Sequence, residues 1–268
     1  MFQKNGVIFR STLLDLPGIC HGFSTREGGV STHPYTREMN LAMGREDDDD
    51  TVGRNGEIFA SLVSDGRMHK ENLVTASQIH SDIVRVVTHK DHTTLCHRDY
   101  PECDALVTNT PGVSLLVFTA DCTPLLFHDP VTGAVGAAHA GWRGTAQAIG
   151  VKTVEAMVKN FGCDVKNIRA AIGPNIAKCH FETDADVPNA MIAAFGEDVN
   201  AFIEKRGEKY YLDLKAINAC ILRRAGVEHI EISDDCTYCQ SDRFWSHRVT
   251  RGERGSQGAL ITCKEAAI

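Results

Sequence analysis

Hydrophobic positions fall at helical spacing in GEIFASLVSDGRM (residues 56–68), which predicts a helix there. The pattern then shortens. NLVTASQIHSDIVRVVT (72–88) reads as two short strands around a polar break at 78–82, which puts His80 at or near a strand end. ALVTN (105–109), VSLLVFTAD (113–121), PLLFHD (124–129) and GAVGAAHAG (133–141) are apolar or β-branched runs divided by Pro, Gly and Asp, as expected for strands of a buried sheet. TAQAIGVKTVEAMVKNFG (145–162) returns to helical spacing, with Thr145 placed to cap its start and Gly162 to end it. Beyond it, IRAAIGPNI (168–176), KYYLDL (209–214) and HIEIS (229–233) predict strands, and DVPNAMIAAFG (186–196) and LKAINACILRRAG (214–226) predict helices. Strands and helices mix to the end, so the fold class is α/β (α+β).

Composition narrows the class but not the function. With 268 residues, 43% of them hydrophobic and 24% charged, the chain suits one globular domain over residues 1–268. A formal net charge of -7 argues against a nucleic-acid partner, which would call for a basic stripe. No apolar run approaches the roughly 18 residues of a membrane span, and MFQKNGVIFRSTLLDLPGI lacks a signal peptide's apolar stretch. The expectation is therefore a cytoplasmic protein with no membrane contact. No heptad or repeat argues for assembly, so a monomer is expected. The ten cysteines, Cys96 among them, are scattered and are expected to be reduced, small core residues. REDDDD (45–50) suits a solvated loop or a helix N-terminus rather than a metal loop.

Candidate chemistry gathers in FTADCTPLLFHDPVTGAVGAAHAGWRGT (118–145). His80, Cys122 and His139 each lie where a strand meets a loop, and they would make a His2Cys set for a catalytic zinc with one open position. The same residues fit a cysteine hydrolase, with Cys122 as nucleophile and His139 as its base. In HAGWRGT (139–145) two glycines allow close backbone approach, Arg143 can fork onto an anion, and the following helix start favours phosphate. Asp121, beside Cys122, is the acid nearest in sequence, although strand alternation would turn it away from its neighbour. CTYC (236–239) is half of a structural zinc motif; with no second pair, ordinary thiols are expected.

Several ordered motifs make the chain resemble the bacterial laccase-domain family, also called multicopper polyphenol oxidases and now regarded as purine nucleoside phosphorylases of the YfiH/YlmD type. They are HGFSTREGGVS (21–31), NLAMG (40–44), QIHSDIV (78–84), CDALVT (103–108), TADCTPLLFHD (119–129), AHAGWRGT (138–145), AIGPNI (171–176) and FWSHRVTRGERGSQGALI (244–261). The resemblance implies an α-β-β-α sandwich with mixed β-sheets and a zinc held by His80, Cys122 and His139. It implies phosphorolysis of adenosine, inosine and methylthioadenosine by inorganic phosphate, with adenosine deaminase activity beside it. Asp121 is then the candidate acid and Arg143 the candidate phosphate contact, while Ser24, Arg26, Gly28 and Gly29 could wrap the nucleoside. Two positions depart from the family pattern: Ser81 follows the first ligand histidine in place of glycine, and His247 replaces a tyrosine. A copper oxidase, as the older family name suggests, would need further histidine clusters, and no His-x-His pair occurs.

Overall fold

The computed structural model describes residues 1–91 and 101–263, so Cys96 lies outside the described residues. Three strands open the chain, β1 (Phe2–Asn5), β2 (Ile8–Ser11) and β3 (Ile19–Ser24), followed by α1 (Asp49–Ser64). β4 (Leu73–Val74) and β5 (Val84–Val86) flank the loop that carries His80. β6 (Ala105–Thr108), β7 (Ser114–Thr119), β8 (Thr123–His128) and β9 (Val135–Ala140) stand where the four apolar runs predict them. Next come α2 (Trp142–Ala146), α3 (Ile149–Phe161), β10 (Arg169–Ile172), β11 (Glu182–Thr183) and α4 (Asp186–Phe195). The last elements are β12 (Ile203–Arg206), β13 (Lys209–Leu212), α5 (Leu214–Arg224), β14 (His229–Ile232), α6 (His247–Thr250) and β15 (Gln257–Cys263).

Two six-stranded sheets form, in the orders β1-β2-β3-β15-β7-β4 and β14-β10-β8-β9-β6-β5, with a small third sheet β11-β13-β12. Both large sheets are mixed: β4 runs parallel to β7, β14 to β10 and β5 to β6, and the other pairs are antiparallel. Side-chain alternation sets the layers. Leu115 and Leu126 point between the sheets with Phe9, Phe23, Val117 and Ala137, whereas Leu116 and Leu125 point outward. On one outer face Leu116 meets Phe59 and Val63 of α1; on the other Leu125 meets Val154 and Met157 of α3 and Leu222 of α5. The architecture is the α-β-β-α sandwich that the resemblance implies. No helix among the described residues is long and apolar enough to cross a membrane.

Local chemistry explains the ends of the elements. Asp48 caps α1 by accepting from the Thr51 N–H, and Asp49 and Asp50 lie in the first turn, so the acidic run faces a helix's positive end. Gly162 ends α3 in the left-handed conformation, as its position predicts. Thr145 is not a cap. The helical run breaks at Ala148 (φ 59°), Thr145 lies inside α2, and its buried hydroxyl accepts from Asn218 Nδ2 at 3.0 Å. The nine described cysteines are free, and Cys20, Cys103, Cys163, Cys236 and Cys263 are buried.

His21 in β3 is buried and its Nε2 accepts the Ser11 N–H at 2.9 Å, an interaction only the neutral ring can make. Burial, reinforced by Arg10, lowers its pKa to about 4. The unfolded chain therefore takes up a proton near pH 6.5 that the folded chain refuses until about pH 4. Stability is fully present above pH 6.5 and falls by about 3 kcal/mol as the pH drops to 4. Denaturant unfolding of wild type and His21→Gln across this range checks it: the variant should lose this pH dependence, and an unchanged slope would refute it.

Candidate active site

The site is built where the ends of the central strands meet. His80 sits in the loop between β4 and β5 with φ 61°, a left-handed conformation, and its exposed side chain lines the cavity described below. Cys122 occupies the tight β7–β8 turn, and His139 lies near the end of β9 beside β8, opposite Pro124. The ligand atoms of His80, Cys122 and His139 all lie within 4.8 Å of one another, so the three can hold a metal ion together. The two rings stand edge to face with centroids 4.8 Å apart. Gly141 makes this approach possible. A Cβ there would lie 2.5 Å from His80 Nδ1 and 3.2 Å from Cys122 Sγ, so the glycine two residues after His139 leaves room for the other two side chains.

The organiser of this group is Asp104, just before β6 and fully buried. Its carboxylate accepts from the backbone N–H groups of Ile79 (3.2 Å), His80 (3.1 Å) and Ser81 (2.6 Å), the Ser81 hydroxyl (2.7 Å) and His139 Nδ1 (2.8 Å). Burial opposes its charge, but the hydrogen bonds from His139 and Ser81 hold its pKa down at about 2. One carboxylate thus shapes the His80 loop and fixes the His139 ring so that its Nε2 is free for a ligand. Burial also disfavours a charged His139, yet Cys122 and Asp104 raise its pKa to about 9. Ser81, the departure from the family pattern, adds a hydroxyl bond to the same carboxylate. Gln78 pins the loop from the other side, exchanging two 2.7 Å hydrogen bonds with the backbone of Phe118.

These residues open onto a cavity of about 430 Å³ whose walls include Phe118, Ile176, Phe181 and His247. Burial and then Arg254 push His247 below its ordinary pKa, leaving a neutral ring at pH 7. Asp121 also lines the cavity: with φ 85° it belongs to a turn, so strand alternation does not turn it away from Cys122. Its carboxylate accepts from Thr237 Oγ1 (2.6 Å), Ser246 Oγ (3.1 Å) and the Arg248 N–H (2.7 Å). Three arginines stand on the wall, Arg45, Arg248 and Arg254; the last two fall within the 244–261 motif, and the sequence assigns none of the three a role. Arg248 donates to the carbonyls of His180 and Glu182. Arg254 donates to the Gly255 carbonyl (2.8 Å) and Ser256 Oγ (2.7 Å), while its buried Nε has no hydrogen-bond partner among the described residues. Burial and then Arg45 lower its pKa to about 10, so two neighbouring cations press on each other.

The other expected contacts lie outside the cavity wall, although Arg143 is close enough to His80 for its charge to lower that ring's pKa, after burial and His139. Arg143 is exposed, with its guanidinium 4.3 Å over the Trp142 ring, and does not line the cavity. Ser24 is buried in β3 and accepts the Gly258 N–H; Arg26 lies over Trp245 and donates to the Ser241 carbonyl. Gly28 (φ 83°) donates to Glu38, and a Cβ on Gly29 would meet the Glu38 carbonyl at 2.3 Å. That loop packs against its own neighbours, outside the cavity wall. Cys236 and Cys239, expected as ordinary thiols, are joined by Cys179 and His180 in a second group able to hold a metal.

Comparison with known proteins places these features in a family. The profile described as "Multi-copper polyphenol oxidoreductase laccase" matches residues 20–264. A purine nucleoside phosphorylase of Deinococcus radiodurans is 40% identical over 255 residues, covering 93% of this chain and 92% of that protein. Purine nucleoside phosphorylase YlmD of Bacillus subtilis is 34% identical over 250 residues, covering 91% and 88%. The crystal structure of Bacillus licheniformis hypothetical protein YfiH superposes with a TM-score of 0.91 at 30% identity, covering 98% of this chain and 99% of that one.

Proposed function

Because the chain belongs to the multi-copper polyphenol oxidoreductase laccase family, we propose that its cavity is the active site of a zinc-dependent purine nucleoside phosphorylase that also deaminates adenosine. The observation that carries this reading is one cavity joining a cation seat, His80, Cys122 and His139, to the arginine pair Arg45 and Arg254 across an apolar wall. The relatives named purine nucleoside phosphorylase support it. Two imidazoles and a thiol in reach of one point suit zinc, with the fourth position left to the cavity. When bound, the ion supplies Lewis-acid chemistry and lowers the pKa of water toward neutrality.

The chain's own residues account for the rest. Phosphate binds between Arg45 and Arg254, where the unpaired Arg254 Nε and the mutual repulsion of the two cations favour a dianion. This role falls to them rather than to Arg143. The purine lies against Phe118 and Phe181, and neutral His247 can accept a hydrogen bond from its edge. An oxygen of hydrogen phosphate attacks the anomeric carbon, the glycosidic C–N bond breaks with its electron pair passing to the purine nitrogen, that nitrogen takes up the proton hydrogen phosphate gives up, and ribose 1-phosphate and free base leave. With methylthioadenosine the sugar product is methylthioribose 1-phosphate. Asp121, already holding three donors, positions the segment from Thr237 to Arg248 and is not assigned the proton transfer.

Chelation separates this reading from a Cys122 nucleophile assisted by His139. Dialysis against a strong chelator should abolish adenosine turnover, and added zinc should restore it. Turnover that survives chelation but is lost on alkylation of Cys122 would transfer the site to the thiol reading.

A further inference from the structure

We propose that Cys179, His180, Cys236 and Cys239 form a second zinc site of the closed, structural kind, distinct from the His80–Cys122–His139 group. The four come from two turns, one after Ile176 and one after β14, and their ligand atoms all lie within 4.8 Å of one another. Cys179 Sγ is 3.6 Å from Cys236 Sγ and 3.7 Å from Cys239 Sγ, and His180 Nδ1 is 3.1 Å from Cys179 Sγ and 3.3 Å from Cys239 Sγ. A tetrahedron with Zn–S of about 2.3 Å and Zn–N of about 2.0 Å has S–S edges of about 3.8 Å and S–N edges of about 3.5 Å. The distances match those edges within a few tenths of an ångström.

The surroundings suit a metal better than free thiols. The Ala177 N–H donates to Cys236 Sγ at 3.3 Å, a bond that favours sulfur carrying negative charge. Tyr238, between the two cysteines of the Cys-x2-Cys pair, stacks on the His180 ring at 3.9 Å and 15°, fixing its plane. Three sulfurs leave one unpaired in any disulfide arrangement, whereas three thiolates and an imidazole complete a Cys3His shell with no open position. Nothing in such a shell is left for substrate, so the site is structural.

Its place in the fold gives it a task. Ile176 and Phe181, on the cavity wall, flank Cys179 and His180. Asn175 is bridged to Cys236, its carbonyl accepts the Thr237 N–H, and the Thr237 hydroxyl donates to Asp121 beside Cys122. The ion clamps this wall to the turn that holds Asp121.

Metal counting on the full chain tests the site without reference to any activity. Protein purified with reductant and zinc and passed over chelating resin should carry about two zinc ions in wild type, about one in Cys122→Ala and none in Cys122→Ala/Cys239→Ser. Zinc absent from Cys122→Ala, or unchanged by adding Cys239→Ser, would overturn the proposal. Should the double variant not fold, the cobalt-substituted Cys122→Ala protein decides. About three quarters of the wild-type thiolate-to-cobalt absorption should remain in it, since three of four thiolate ligands would persist. Loss of the band, or a disulfide between any two of the three cysteines found by mass spectrometry, would also overturn it.

Discussion

Asp104→Asn should weaken metal binding at the His80–Cys122–His139 group by about 10- to 100-fold, although Asp104 touches no metal itself. Its carboxylate offers only acceptors to five donors, from Ile79, His80, Ser81 twice and His139. An amide of the same shape must turn an NH2 toward at least one of them. It also removes the negative charge that orients His139. One buried donor left facing another costs about 1–3 kcal/mol, so the melting temperature should fall as well. Competition titration against a chromogenic chelator, with Cys239→Ser in both backgrounds to isolate this group, reads the affinity. An unchanged dissociation constant in Asp104→Asn would mean that the carboxylate supports the loop alone and not the metal centre.

Arg254→Met should separate the two proposed reactions. Phosphorolysis needs an anion held in the cavity and deamination does not, so only the first should depend on the unpaired guanidinium. Removing one preorganised charge contact to a transferring phosphate costs on the order of 10²–10³ in rate. The expected result is a loss of that size in kcat/KM for phosphate, with inosine formation from adenosine changed only a few-fold. Metal content should stay at the wild-type level, because Arg254 hydrogen-bonds Gly255 and Ser256 and none of the ligands. Equal losses in both reactions would place Arg254 in nucleoside binding or in loop structure instead of phosphate binding.

Both expectations turn on residues that lie inside quoted motifs, Asp104 in 103–108 and Arg254 in 244–261, but whose roles no local pattern reveals. The strands β6 to β9 are readable because their apolar runs are bounded by Gly, Pro and Asp, and Gly162 is readable because only a left-handed residue ends α3 so abruptly. The candidate metal group is readable as two histidines and a cysteine close to apolar runs, although His80 lies in the loop between β4 and β5 and not at a strand end. Asp104 is hidden for a physical reason: an acid at the start of an apolar strand looks like a solvated boundary, and only the folded β6–β9 pairing buries it beside His139. Arg45 and Arg254 are brought to one wall from segments more than two hundred residues apart. Cys179 and His180 lie far from Cys236 in sequence, so half of a Cys3His set reads as a bare Cys-x2-Cys pair. In the reverse direction, the glycine pair of the 21–31 motif reads as a ligand loop. Its glycines instead serve a positive φ at Gly28 and a close backbone passage at Gly29.

The most direct measurement is a product analysis on zinc-loaded protein given adenosine with and without phosphate, run beside Cys122→Ala. Ribose 1-phosphate should form in an amount equal to adenine plus hypoxanthine, only with phosphate and only with Cys122 intact, with inosine as the phosphate-independent product. Zinc-loaded wild type that releases neither adenine nor ribose 1-phosphate, or a Cys122→Ala protein as active as wild type, would contradict the assignment of this cavity.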